Sequence, residues 1–240
     1  MIKLIYILVM VFFASASGQV INHFKEKIYL SENGKTEVNW EIEYINESHA
    51  ERLLLPWNFN DAKLSDEIEY SYEKDKGKEL KGELVNINSN YFVSVLLDST
   101  QTRLKLEIEF EIEDFFNISE QKKKDFGNYS IKVVFANSCV ARIKKYESSI
   151  FLPEKYLVSA VTESLPEQKS EESIPPYKLF RENGKNGIKL TAEEVKLGGN
   201  TLLEFKFKSE EKSNIFLIIL IVSGILYLVF FRDILKSGKK

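Results

Sequence analysis

Two stretches of strict period-two alternation confine this chain to a predominantly β fold. Thr36, Val38, Trp40, Ile42 and Tyr44 alternate with Glu37, Asn39, Glu41 and Glu43; Leu104, Leu106, Ile108, Phe110 and Ile112 alternate with Lys105, Glu107, Glu109 and Glu111. Successive side chains of a strand point to opposite faces, so each stretch has one apolar face and one charged face. Ahead of the first, Phe24 to Leu30 and the turn Glu32-Asn33-Gly34 predict a hairpin, because Asn-Gly tolerates the positive φ of a tight turn. Weaker strands are expected at Ile68 to Tyr72, Glu83 to Ile87 and Tyr91 to Leu97.

After Phe116 the pattern breaks for a polar, lysine-rich stretch, Glu120 to Asp125. Strands resume at Tyr129 to Phe135, Ala141 to Tyr146, Ser148 to Leu152 and Tyr156 to Val161. Glu163 to Pro176, with three prolines, reads as an exposed loop, and a final hairpin follows around Asn183-Gly184 and Asn186-Gly187, ending in Leu202 to Phe207. Half-buried strands separated by turns predict an all-β, antiparallel β-sandwich, divided into a first sandwich domain over 19–120 and a second over 121–213.

Apolar segments flank this β region. Lys3, the run Leu4 to Phe13 and the small residues Ala14 to Gly18 have the three parts of a signal peptide, expected over 1–18. Ile215 to Phe231 is apolar apart from Ser223, and as a helix it would reach about 26 Å, close to the thickness of a hydrocarbon core. A transmembrane helix is therefore expected over 214–231, with a short cytoplasmic tail over 232–240 whose basic residues outnumber its single acid. This predicts a single-pass type I protein of the cell membrane, its β region outside the cytoplasm. Ser223-Gly224 is a small pair that would let another helix pack closely.

The exported part carries about seven more acidic than basic side chains, which argues against nucleic acid as a partner. Cys139 is the only cysteine, so no intrachain disulfide can form and the fold stands on packing. Its apolar neighbours, Val133 to Phe135 and Val140, point to a buried thiol.

The first hairpin, with its turn at Asn33-Gly34 and its alternating strand ending in Tyr44, resembles the start of exported prokaryotic proteins that carry one or two β-sandwich domains and a C-terminal membrane helix. The phrase Ile150-Phe151-Leu152-Pro153, then Val158 to Pro166 and a hairpin around Gly184, is similar to their second half. A fainter similarity, in domain order and the Leu152-Pro153 strand end, is to the lumenal β domains of ribophorin. The resemblance implies topology and fold; it carries no functional residue to this chain.

Candidate chemistry is sparse. His23 and His49 are the only histidines, with no cysteine near either in sequence, and no phosphate-cradling or dinucleotide motif occurs. No catalytic, cofactor or metal residue is therefore assigned, and a non-enzyme is expected. Glu107, Glu109, Glu111, Glu113 and Asp114 read as a solvated strand face with lysines across it, or less simply as a calcium site. Trp57 and Phe59, in the apolar run Leu53 to Phe59, and Phe115 and Phe116 after the second alternating strand are either core plugs or an interaction surface. Asn46, Asn117 and Asn128 each begin an Asn-x-Ser triplet and are candidate glycosylation sites, expected to be exposed. The expected function is a membrane-anchored interaction or structural module of the cell envelope, or else an accessory subunit of a membrane complex. Its partners would be the bilayer, through the helix, and another membrane or envelope protein.

These readings predict that the mature chain begins at Ser17 or Gln19 and stays with membranes in high salt, because an apolar helix is not displaced by ions. Recovery of Met1 on N-terminal sequencing of the mature protein, or release by salt, would refute them.

Overall fold

The computed structural model describes residues 19–59, 62–73, 80–118, 128–139, 141–167, 174–210 and 220–227. Fourteen strands are described in the first compact unit, Met1–Ser209. They are β1 (Gln19–Leu30), β2 (Thr36–Asn46), β3 (Arg52–Pro56), β4 (Lys63–Leu64), β5 (Ile68–Tyr72), β6 (Leu80–Ile87), β7 (Asn90–Leu96), β8 (Arg103–Glu113), β9 (Asn128–Ala136), β10 (Arg142–Phe151), β11 (Tyr156–Leu165), β12 (Tyr177–Glu182), β13 (Lys185–Val195) and β14 (Asn200–Ser209). The all-β class stands. The apolar run Leu53 to Phe59, which lacks alternation, contains strand β3, and the two strands expected between residues 141 and 152 are one, β10.

An eleven-stranded sheet runs in the order β12-β13-β10-β1-β2-β8-β5-β6-β7-β3, with β4 paired to β8 off that path, and a three-stranded sheet is ordered β11-β14-β9. The alternating residues fall as the period requires. Val38, Trp40, Ile42 and Tyr44 on β2 and Leu104, Leu106, Ile108, Phe110 and Ile112 on β8 are all buried, and the two strands pair antiparallel from Thr36↔Ile112 to Ile45↔Arg103.

Two features depart from the sequence reading. Among the described residues every ladder is antiparallel except one: β1 and β10 run parallel, with Phe24 opposite Tyr146 and Glu26 opposite Ser148. The break after Phe116 falls between β8 and β9, yet the large sheet crosses it through that parallel pair, so the sheet does not end at residue 120. Residues 119–127 lie outside the described residues.

Each half of the large sheet is covered by a second layer. On one side β6 changes partners along its length: Leu80 to Gly82 pair with β5, and Glu83 to Ile87 pair with β7, turning the sheet so that Leu53, Leu55, Val93 and Val95 close over the β2–β8 core. Gly82 stands at this corner because a Cβ there would lie 2.9 Å from Ile68 Cγ2. On the other side β9 lays Phe135 against Tyr146 (ring centroids 4.2 Å) and Phe24 (5.3 Å).

The same corner is built twice. Asn46, at the end of β2, donates its backbone N–H to Thr102 O, its Nδ2 to Ala50 O (2.9 Å), and accepts at Oδ1 from Ala50 N (2.8 Å). Asn137, just after β9, donates its N–H to Gly199 O and its Nδ2 to Ala141 O and Val195 O (3.0 Å each), and accepts at Oδ1 from Cys139 N (3.2 Å). The third member matches too: Ser48 Oγ lies 3.5 Å from Asn46 Oδ1, and Cys139 Sγ 2.9 Å from Asn137 Oδ1. Asn-x-Ser/Cys-x-Ala is thus a lock that carries the chain out of one strand while satisfying the backbone groups left behind.

This corrects the reading of Asn46 as an exposed glycan acceptor: its side chain is fully buried and its amide nitrogen is committed to Ala50. Asn128 is exposed and Asn117 half-buried. The buried thiol expected at Cys139 is found, and burial pushes it up to about 11.

The second compact unit is Glu210–Lys240, of which Glu210 and residues 220–227 are described, the latter helical. Ser223 and Gly224 lie in this helix, and a Cβ on Gly224 would touch nothing within 4 Å. Among the described residues no helix is long and apolar enough to cross a membrane. The rest of the expected span over 214–231, the signal peptide over 1–18 and the tail over 232–240 lie outside the described residues.

The lock predicts an order of effects. Asn137→Ala strands two buried carbonyls and should lower unfolding free energy by about 3 kcal/mol, Asn46→Ala by about 2 kcal/mol, and Cys139→Ser, which keeps a donor on Asn137, by no more than about 1 kcal/mol. Chemical denaturation of the three variants checks the order, and a Cys139→Ser effect as large as that of Asn137→Ala would overturn it.

Candidate functional site

Glu26 sits where the halves of the large sheet meet. The phase of β1 sends Phe24, Glu26, Ile28 and Leu30 inward, so a carboxylate occupies a core position, with Trp40 opposite it on β2 and Ser148 opposite it on β10. Trp40 Nε1 donates to Glu26 Oε1 (3.1 Å), and Tyr146 Oη (2.6 Å) and Ser148 Oγ (3.0 Å) donate to Oε2. Loss of solvent raises the Glu26 carboxyl above its ordinary range, against the three hydrogen bonds, which favour the ionised form. Tyr146, fully buried beside it, is raised well above the usual phenol range by burial and by the neighbouring carboxyl.

A cavity of about 290 Å³ opens onto this group, lined by Glu26, Asn58, Phe59, Phe115, Lys132, Val133 and Val134. Asn58 is held across from β9 by its Oδ1, which accepts from Ala136 N (3.0 Å). The rings of Phe59 and Phe115 meet edge to face at 5.2 Å.

The aromatic candidates are now placed. Trp57, Phe59 and Phe116 are buried, Trp57 donating its Nε1 to Phe59 O (3.0 Å), and Trp57 and Phe59 both contact the Phe110 ring. Of the two alternatives the sequence left open, these three are core plugs and not an interaction surface; Phe115, the fourth candidate, is half-buried at the cavity wall. Sequence reasoning missed Glu26, although the strand phase that carried Phe24 and Ile28 inward identifies it, and it missed Asn58.

The opposite face of the large sheet is charged and wet. Lys25 and Lys27 reach Glu41 (3.3 and 2.5 Å), Lys35 reaches Glu111 (2.7 Å), and Lys105 reaches Glu73 (3.3 Å) and Glu43 (3.8 Å). Lys63 lies directly across from Glu113, but the residues across from Glu107, Glu109 and Glu111 are not lysines. Glu107 lies opposite Glu41, Glu111 opposite Glu37, and Glu109 opposite both Asn39 and Glu69. Such like-charge registers are unfavourable on a sheet surface. A cleft of about 450 Å³ lies among Glu37, Asn39, Asp66, Glu67, Glu69 and Glu109.

The histidines have separate surroundings. His23 Nε2 lies 3.4 Å from Glu147 Oε1 without hydrogen-bond geometry, and burial lowers its pKa more than Glu147 raises it. His49, at φ 51°, places Nδ1 2.8 Å from Ser99 O. Among the described residues no group of three or more His, Cys, Asp or Glu is arranged to hold a metal ion.

No protein-family model matches the chain, and no curated protein matches it in sequence. Solved structures similar to it include an M1 zinc metallopeptidase from Deinococcus radiodurans (8% identity, TM-score 0.42, covering 78% of this chain and 42% of that one). A mutant of the Deinococcus enzyme bound to a Tyr-Ser-Ala substrate matches at 8% identity and TM-score 0.44, covering 79% of this chain and 43% of that one. A protein from Parabacteroides distasonis described as a candidate protease matches at 11% identity and TM-score 0.40, covering 79% of this chain and 40% of that one. These structural neighbours are peptidases, which runs against the expectation of a non-enzyme. The relation is distant and brings no activity, substrate or catalytic residue to this chain, which spans about two fifths of their length.

The Glu26 environment has a signed pH consequence. A carboxyl whose folded pKa lies above its ordinary 4.5 contributes stability that is fully present below 4.5 and lost as pH rises through the folded value, because the folded state holds the proton longer. Glu26→Gln cannot titrate, and its amide can accept from Trp40 and donate to Tyr146 and Ser148. The Tm of Glu26→Gln relative to wild type should therefore be highest near pH 8 and fall as pH is lowered towards 4.5; a difference independent of pH would overturn the assignment. Glu26→Ala, which leaves three buried donors unanswered, should cost about 3 kcal/mol by denaturation near pH 4.5 and less near pH 8, because alanine does not titrate either.

Proposed function

We propose that the chain is a membrane-tethered interaction module of the cell envelope that receives a basic segment of a partner on the outer face of its large sheet. The observation that carries the reading is the like-charge register there. Glu41 against Glu107, Glu37 against Glu111 and Glu69 against Glu109 are held in place across β2, β8 and β5 where opposite charges would stabilise the sheet. Asn39 adds to the same surface: its Nδ2 donates to Glu109 Oε1 (2.6 Å), and its Oδ1 has no hydrogen-bond partner among the described residues. A surface that keeps unfavourable neighbours is one whose charge is used elsewhere. A lysine- or arginine-rich segment laid along the cleft would relieve the repulsion and gain charge-assisted hydrogen bonds.

The tether is supported by the apolar run Ile215 to Phe231, which begins a few residues after β14 ends at Ser209 and would hold the module close to the bilayer. The two-layered halves support a rigid β-sandwich frame for that surface.

Proximity labelling from the exported side in the native organism should recover one or a few envelope proteins with wild type. The double variant Glu69→Lys/Glu109→Lys, which reverses charge on exposed positions, should lose them while keeping its circular dichroism. Unchanged neighbours in a folded charge-reversed variant would refute the surface. Copurification in fixed stoichiometry with an integral membrane complex, insensitive to the reversal, would favour an accessory subunit docked through its helix.

A further inference from the structure

Glu26 has the hydrogen-bond donors of a carboxylate but no counter-ion among the described residues. Trp40, Tyr146 and Ser148 are all neutral, and no cation contributes to its electrostatics. An ionised carboxyl withdrawn from water is strongly disfavoured until a positive group joins it. Among the described residues Lys132 is the one basic side chain on the wall of the adjoining cavity; it is exposed, and its Nζ is turned to Glu163 (3.4 Å) and Glu204 (3.9 Å). Val134, also on the wall, is 37% exposed, and Phe59 and Phe115 give the wall an aromatic part.

We propose that this cavity binds a compact organic cation, a primary amine with an apolar body, whose ammonium group pairs with Glu26 and whose body lies against Phe59 and Phe115. Each part of the site answers one part of such a ligand. The ammonium supplies the missing counter-charge at a place where water does not screen it. The aromatic wall favours a cation near its ring faces and covers apolar surface as well. At about 290 Å³ the space lies at the lower end of small-molecule sites, which limits the body to about one ring or a short branched chain. The site is separate from the acidic outer face, and its occupancy does not depend on any partner there.

Benzylamine and its neutral counterpart benzyl alcohol are the probes, titrated at pH 8 into the full-length protein in detergent. Intrinsic fluorescence reports, because both tryptophans are local: Trp40 donates to Glu26, and Trp57 contacts the Phe59 ring at 5.3 Å. The expected result is saturable binding of benzylamine at least about tenfold tighter than benzyl alcohol, with Glu26→Gln weakening benzylamine by at least about tenfold and leaving benzyl alcohol unchanged. Phe115→Ala, at a half-buried position, should weaken both probes and serves if Glu26→Gln does not fold. Equal affinities for the two probes, no saturable signal, or benzylamine binding that survives both substitutions would overturn the proposal. Charge reversal at Glu69 and Glu109 should leave benzylamine binding intact, so failure of this site and failure of the outer face are read separately.

Discussion

The parallel ladder between β1 and β10 is the constraint on which the rest of the molecule depends. It joins residues about 120 positions apart and merges what would otherwise be two sheets into one. Because β1 also pairs with β2, its inner face must serve both halves at once, and Phe24 does so by touching Trp40 on one side and Phe135 and Tyr146 on the other. A contact of such sequence separation is entropically late to form. The pairs β1–β2, β5–β6 and β6–β7 join strands consecutive in the chain, but the ladder that unites the halves waits for the chain to return.

Legibility in the sequence followed how local each determinant is. The phase of β2 and β8 and the Asn183-Gly184 turn, with both residues at positive φ, depend on neighbours within a few positions and could be read directly. The parallel pairing could not, because alternation says which face of a strand is apolar and nothing about which strand lies beside it. Trp57 and Phe59 illustrate the same limit. A dense apolar run without alternation is compatible with surface or core, and only the closure of β3 and β7 over Phe110 decides for the core. Glu26 was legible in principle, as the one charge on the inward phase of β1. It was passed over because a lone acid in an apolar set is easily taken for a lapse in the pattern.

The charged and the buried faces of the large sheet follow opposite rules. Inside, Glu26 is answered by three neutral donors placed in register, which satisfy its hydrogen bonds and leave its charge without a partner among the described residues. Outside, Glu37, Glu41 and Glu69 stand opposite acids on β8, while lysines meet other acids or the far side of the same ones, as Lys25 meets Glu41 from β1. Sheet stability alone accounts for neither arrangement, since an apolar residue at 26 and an alternation of signs outside would both serve it better. Both therefore direct attention to binding, one at an enclosed point and one along an open face.

Were the chain exported, as proposed, the Asn46 corner would set glycosylation against folding. A transferase that recognises Asn-x-Ser acts on unfolded polypeptide, and here the acceptor nitrogen is the one that β2 needs to close its corner onto Ala50. Sugar and corner are mutually exclusive fates of a single amide. In a host with such a transferase, the speed at which the first hairpin and its corner close becomes a selectable trait, and a copy modified early would reach the surface unable to complete its sheet. The second copy of the lock escapes that contest, because cysteine stands at its third position, where the hydroxyl residue of the common acceptor triplet would be.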